Sequence, residues 1–131
     1  YFLDIIDEIH SQDGLVIVPH PFDKFRKNFK KLELIKNKID LFEVFNARCW
    51  KSSFNDDAKN FAEQFNLLQS AGSDAHIPQE YGNAFIEVEA VSLEEARKKL
   101  LKGKSKVFGK SAGLVPHLKT VLAKKNLLKD Q

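Results

Sequence analysis

The 131-residue chain has one cysteine, no methionine and no long hydrophobic run. A single thiol, Cys49, cannot close an internal disulfide and stands in no Cys-x-x-Cys pair, which excludes a disulfide-stapled scaffold and a zinc ribbon. The longest apolar stretch, Gly14 to Pro19, is the length of a strand, and the N-terminus lacks the basic-then-apolar layout of a signal peptide. These absences point to a cytoplasmic chain with no membrane partner. Internal repeats and low-complexity segments are missing as well. The length excludes a complete barrel of eight strand–helix units, which typically needs about 250 residues. With 43% hydrophobic residues there is enough for one modest core, so residues 1–131 are expected to form a single domain. The lack of methionine and the start at Tyr1 suggest a piece of a longer protein.

What is present is unevenly charged. Residues 1–96 hold 10 Lys/Arg against 17 Asp/Glu, whereas residues 97–131 hold 11 against the single Asp130. The net charge of +3 therefore belongs to the C-terminal third. A basic end of this kind is either a solvated face or a surface for a polyanion such as nucleic acid.

Apolar positions Leu3, Ile5, Ile6 and Ile9 recur at helical spacing and predict a helix over 2–10, ended by Asp13-Gly14. Residues 15–18 form a β-branched run of the kind that is covered on both faces, stopped by Pro19 and Pro21. Residues 24–38 suggest one or two short helices. A second strand, 39–45, embeds Asp40 and Glu43, acids that are costly there unless paired or at the strand's end. Asn55 is the expected N-cap of a helix whose face is Ala58, Phe61, Ala62 and Phe65. Third and fourth strands are expected at 67–72 and 84–89, and Ser92-Leu93-Glu94-Glu95 is a capping box opening a helix that Gly103 closes. After a short extended piece at 104–109, a last helix is expected from Pro116 to Leu128. Strands alternating with helices imply mostly parallel α/β units over 1–90, followed by a basic helical part at 91–131.

In a parallel α/β fold reactive groups gather at the carboxyl ends of the strands. The first strand delivers His20 between two prolines that stiffen its frame, a placement that suits a metal ligand or a loop cap. The third ends in Gly72-Ser73-Asp74-Ala75-His76, where Asp74 and His76, two apart, can reach one cluster as a hard oxygen and a borderline nitrogen. Both are also ordinary turn residues. Ser73 can cap or orient there. The second strand carries Glu43 and Asn46 and leads to Arg48, whose fork of donors can clamp a phosphate, as can that of Arg26. Cys49, beside Trp50, reads as a small buried filler, and His10 and His117 as structural.

Together these segments, in this order, resemble the polymerase and histidinol phosphatase (PHP) superfamily. The matching pieces are Gly14 to Asp23 with its His20-Pro21, Ile39 to Arg48, Ala71 to His76, and Glu80-Tyr81-Gly82. The resemblance implies the C-terminal portion of a distorted seven-stranded β/α barrel, with divalent metal ions (zinc, manganese, iron or magnesium) at its carboxyl end. It implies hydrolysis of a phosphate ester: a phosphorylated small molecule, a nucleotide or a nucleic-acid end. Carried over, His20 is a ligand of one metal, Asp74 and His76 are ligands that look to different metals, and Glu43, Asn46 and Arg48 match a less uniform segment; Arg26 and Arg48 stand as candidates for the substrate phosphate, and Glu43, Asn46 and Ser73 as supports of the ligands. The family's opening His-x-His motif does not occur in this sequence. The chain alone is therefore expected to be an incomplete site that needs the N-terminal half of the barrel as its partner. The rival expectation is a non-catalytic assembly module that self-associates through exposed strand edges or binds polyanions through its basic end.

Overall fold

The apolar run at residues 39–45 becomes the centre of the molecule. In this computed structural model, which describes residues 2–27 and 29–127 (side chains as far as Leu122, apart from His117), strand β2 (Leu41–Asn46) lies between β1 (Ile17–Val18) and β3 (Gln69–Gly72), and both neighbours run parallel to it. Ile17 faces Leu41 and Phe42 faces Gln69. A register shift between Glu43 and Phe45 bulges β2 where it approaches its carboxyl end.

The crossovers supply the core. Helix α1 (Phe2–Ser11) and the single turn α2 (Leu32–Ile35) bring Ile6, Leu32 and Ile35 against Val18. Helix α3 (Ser52–Gln64) lays Ala58 and Ala62, one turn apart, on Phe42 and Val44, and their small side chains let the helix approach the sheet closely. Phe61 stacks on Phe42 at 5.2 Å between ring centroids. Asn66, in the left-handed region at φ 52°, ends α3, and the Leu67 N–H returns to the Ala62 carbonyl at 2.8 Å.

Several sequence expectations need correction. β1 is covered on one face only: Val18 is buried, but Ile17 is 47% exposed, because α1 and α2 pack on the Val18 side. Helix α3 starts at Ser52, and Asn55 is not its cap. The Asn55 amide instead brackets Asn46, accepting from its N–H at 3.0 Å and donating to its carbonyl at 3.2 Å. β4 (Ala84–Glu87) and β5 (Lys106–Gly109) pair antiparallel in a separate two-stranded sheet. Gly109 lies so close to the Phe45 ring that an added Cβ would meet it at 2.3 Å, so any side chain there would push the second sheet off β2. The described residues thus form a mixed α/β structure, with a parallel three-stranded sheet and no closed barrel.

The remaining boundaries follow local chemistry. Ser92 caps α4 (Leu93–Leu100) by accepting from the Glu95 N–H at 3.1 Å, while the Glu95 carboxylate reaches back to the Val91 N–H. Gly103, at φ 67°, closes it. Helix α5 (Leu114–Leu127) places Pro116 in its first turn, and Leu128 lies outside the described residues. Among the described residues no helix is long and apolar enough to cross a membrane.

Candidate functional site

Three parallel strands put three loop starts at one edge of the sheet, and the candidate residues occupy them. After β1 the chain turns at His20, whose backbone is left-handed at φ 32°. After β3 it turns at Asp74, likewise left-handed at φ 51°. Such backbone is strained for a residue with a Cβ, although His and Asp tolerate it better than most, and strain of this kind collects where surrounding structure holds it for a purpose. Glu43 ties the two turns together. Its Oε2 accepts the His20 N–H at 2.5 Å and an Asn46 Nδ2–H at 3.0 Å, while an added Cβ on Gly72 would meet Oε1 at 2.3 Å. A side chain at 72 would therefore have to displace the Glu43 carboxylate. Burial pushes the Glu43 pKa above its usual range, against the opposing effect of those hydrogen bonds.

His20 and its surroundings leave one polar atom open. The imidazole Nδ1 is buried and has no hydrogen-bond partner among the described residues. An unsatisfied buried ring nitrogen costs about 1–3 kcal/mol, which a ligand on that atom would recover.

Arg26 sits between two acids. Its Nε lies 3.2 Å from Asp23 Oδ2 and its Nη1 forms an ion pair with Asp74 Oδ2. Asp23 is fully buried and also accepts the Phe25 N–H at 3.0 Å. Arg48 is engaged elsewhere: its Nη1 lies 2.7 Å from both carboxylate oxygens of Glu80, with Arg48 4% and Glu80 0% exposed. Glu80 in turn accepts the N–H groups of His76 at 2.7 Å and Ile77 at 3.1 Å. Burial alone would raise the Glu80 pKa, but the His76 N–H, the Arg48 guanidinium and the Ile77 N–H outweigh it and hold the carboxyl below its ordinary value. The Arg48–Glu80 pair therefore acts as a clamp on the loop that carries His76.

His76 Nδ1 lies 2.8 Å from the Asp74 carbonyl oxygen, which leaves Nε2 as the nitrogen available to a ligand. Ser73 is half-buried beside Asp74. Arg26, Asp74, His76, Trp50 and Thr120 of α5 border a recess of about 370 Å³. A larger groove, about 680 Å³, runs between Phe45, Leu68 and Val107 and contains none of the candidate residues. Cys49 is the buried filler that its neighbours suggested, its thiol pushed up to about 12 by burial and then by Asp23, which removes it as a nucleophile near neutral pH. His10 bonds Asp40 at 2.9 Å, and the Asp40 carboxylate also takes the Val16 N–H. The side chain of His117 lies outside the described residues.

The structure thus joins His20 to Glu43 and Asn46, Asp74 to Arg26, and His76 to Glu80 and Arg48. Among the described residues it gathers no group of three or more His, Cys, Asp or Glu able to hold an ion. Sequence reasoning did not assign roles to Asp23 and Glu80. The signals for them were weak: an acid three residues after His20, and a glutamate four residues after His76.

Comparison with known proteins agrees with the motif reading over part of the chain. Residues 52–105 match the family described as PHP-associated, a stretch running from α3 through the Asp74–His76 turn to the end of α4 and just beyond. The His20 turn lies N-terminal to that match. An uncharacterized protein of Methanocaldococcus jannaschii is 32% identical over 98 residues, which cover 70% of this chain and 41% of that protein. The resemblance to the C-terminal region of PHP proteins therefore holds.

Proposed function

We propose, from the premise that this is a PHP-associated chain, that it supplies one side of the active site of a divalent-metal phosphoesterase. Its three parallel strands are on this reading a section of a β/α barrel that a further segment completes. The observation that carries the reading is the buried, unpartnered Nδ1 of His20, held by Glu43 beside the segment that presents Asp74 and His76. An orphaned imidazole nitrogen, a carboxylate and a second imidazole with Nε2 free are the donor types that zinc, manganese or iron accepts, and the carboxylate suits magnesium. They fit part of a coordination shell, and the remaining ligands belong to another segment of the whole protein.

His20, Asp74 and His76 would each contribute a ligand to a divalent-metal centre and would not close a shell on one ion among themselves. A divalent ion bound there supplies a water whose pKa is lowered towards neutrality and a positive charge for the phosphate oxygens. The chain's own residues do the rest. Glu43 fixes the His20 backbone, and the Arg48–Glu80 clamp fixes His76 from behind. Arg26, at the wall of the recess, is the residue placed to meet an incoming phosphate. A phosphorylated small molecule or a nucleotide is the class of substrate this arrangement suits.

The test uses the full-length protein. Phosphate release from a panel of phosphomonoesters and nucleotides is expected to depend on added divalent metal and to fall at least about a hundredfold in His20→Ala and Asp74→Asn, as loss of a ligand exceeds the 10–100-fold effect of losing its outer support. Absence of metal-stimulated release across the panel overturns the proposal.

A further inference from the structure

On the metal-site reading above, Asp74 has two claimants. Its Oδ2 already pairs with Arg26 Nη1, yet the same carboxylate is a proposed ligand for a divalent ion. A guanidinium N–H on Oδ2 and a doubly charged cation on the same carboxylate would lie a few ångströms apart and repel each other, so the two compete for Asp74. Arg26 also has a second anchor that an ion at Asp74 does not disturb. Its Nε lies 3.2 Å from Asp23 Oδ2, and Asp23 is buried and held by the Phe25 N–H. The side chain is therefore hinged at one acid and latched at the other.

We propose that Arg26 is a built-in counter-cation for Asp74, which a divalent ion must displace in order to bind. In the metal-free state the guanidinium neutralises Asp74 and keeps the turns after β1 and β3 together. When the ion takes Asp74, Nη1 is released while Nε stays on Asp23, so the freed end of the fork swings within the recess instead of leaving it. Metal affinity is in this way set below what the ligands alone would give, and the residue that guards the site is kept at its wall.

The experiment measures binding. Calorimetric titration of Mn²⁺ into the full-length protein is expected to give about tenfold tighter binding in Arg26→Gln than in the wild type. Arg26→Lys retains the positive charge but its single ammonium cannot span both aspartates, so it is expected to tighten binding by a few fold. That result separates the lost latch from the lost charge. In the wild type, Zn²⁺ is expected to speed rotation of the Arg26 Nη groups in ¹⁵N spectra while the Nε–H stays protected. Asp74→Asn should show the fast rotation with no metal added. If Arg26→Gln does not fold because Asp23 has lost the guanidinium, Arg26→Lys and the spectra decide. Unchanged or weaker Mn²⁺ affinity in the Arg26 variants, with wild-type binding that Asp74→Asn abolishes, overturns the latch and leaves the metal site standing. No Mn²⁺ binding in any form of the protein overturns both.

Discussion

Replacing either member of the Arg48–Glu80 pair should cost far more than replacing both. Arg48 and Glu80 are 4% and 0% exposed, the guanidinium Nη1 lies 2.7 Å from each carboxylate oxygen, and the carboxylate also takes the N–H groups of His76 and Ile77. Arg48→Met leaves a buried carboxylate without its countercharge, and Glu80→Gln leaves a buried guanidinium without its own. Each is expected to lower stability by about 3–5 kcal/mol. That is a large fraction of the roughly 5–15 kcal/mol that holds a domain of this size. The double variant removes both charges, while the amide oxygen introduced by Glu80→Gln still serves the loop N–H groups, so its cost should be about 2 kcal/mol and the coupling energy at least about 4 kcal/mol in magnitude. Urea unfolding of the four proteins at pH 7 measures this. The folded-state pKa of Glu80 is depressed, so its contribution is present above the unfolded value and is lost as pH falls through the folded one. Below pH 4.5, the ordinary value for this group, the gap between wild type and Glu80→Gln should accordingly shrink. Additive costs, with coupling below about 0.5 kcal/mol, would refute the view that this pair is a charge-compensated clamp.

Other expectations are simpler. Gly72→Ala should destabilise by about 1–3 kcal/mol, because the new methyl would meet Glu43 Oε1 at 2.3 Å and displace the carboxylate from His20; thermal unfolding reads this, and a neutral result would mean the turn has slack. Cys49 should resist iodoacetamide at pH 8 in the folded protein and react readily in urea, since its folded pKa is about 12; rapid native labelling would contradict its burial. Glu43 has a raised folded pKa, so its favourable contribution is full below the unfolded value and is lost as pH rises through the folded one. Glu43→Gln should therefore gain on the wild type between pH 4 and pH 7 in urea unfolding, and a relative loss over that range would exclude the desolvated carboxylate described above.

The elements that can be read along the chain are those whose reasons are local. Helix α1, the Ala58–Phe61–Ala62 face of α3, the Ser92 cap and Gly103 all depend on residues within a few positions of one another, and each stands in the structure, although of the apolar positions of α1 only Ile6 is buried, Leu3 and Ile5 being exposed. The antiparallel β4–β5 pair was not legible, because an alternating apolar run signals a strand without naming its partner or its direction. Residues 15–18 read as doubly covered because a continuous apolar run looks the same whether one face is packed or two. At the site, His20, Asp74 and His76 were legible as strand-end residues. The roles of Asp23 and Glu80 were not, since each is set by an arginine that folding brings alongside: Glu80 is paired across 32 residues, and Arg26 joins Asp23 to an aspartate 48 residues further on. Asn55 fails as a cap for the same reason. Its amide has a better pair of partners in Asn46, across the turn, than the first turn of its own helix offers.

Charge at the sheet edge explains how several acids can sit together there. Three strands ending together bring Asp23, Glu43 and Asp74 close, with Glu80 behind them, and unscreened carboxylates at such spacing repel one another. Arg26 answers Asp23 and Asp74, and Arg48 answers Glu80, while Glu43 is held by a backbone N–H and an amide instead of a guanidinium. The Glu80 carboxyl, which takes the His76 N–H and then the Arg48 guanidinium, is drawn below its usual value, whereas that of Glu43, which has no guanidinium, is pushed up by its burial. Both arginines border the recess, but Arg26 is the more exposed, with a quarter of its side chain reached by solvent against a twentieth for Arg48. Among the described residues, the pair at this edge that solvent reaches is therefore Arg26 on Asp74. The Arg48–Glu80 pair is too deeply enclosed to open without unfolding the loop that carries His76.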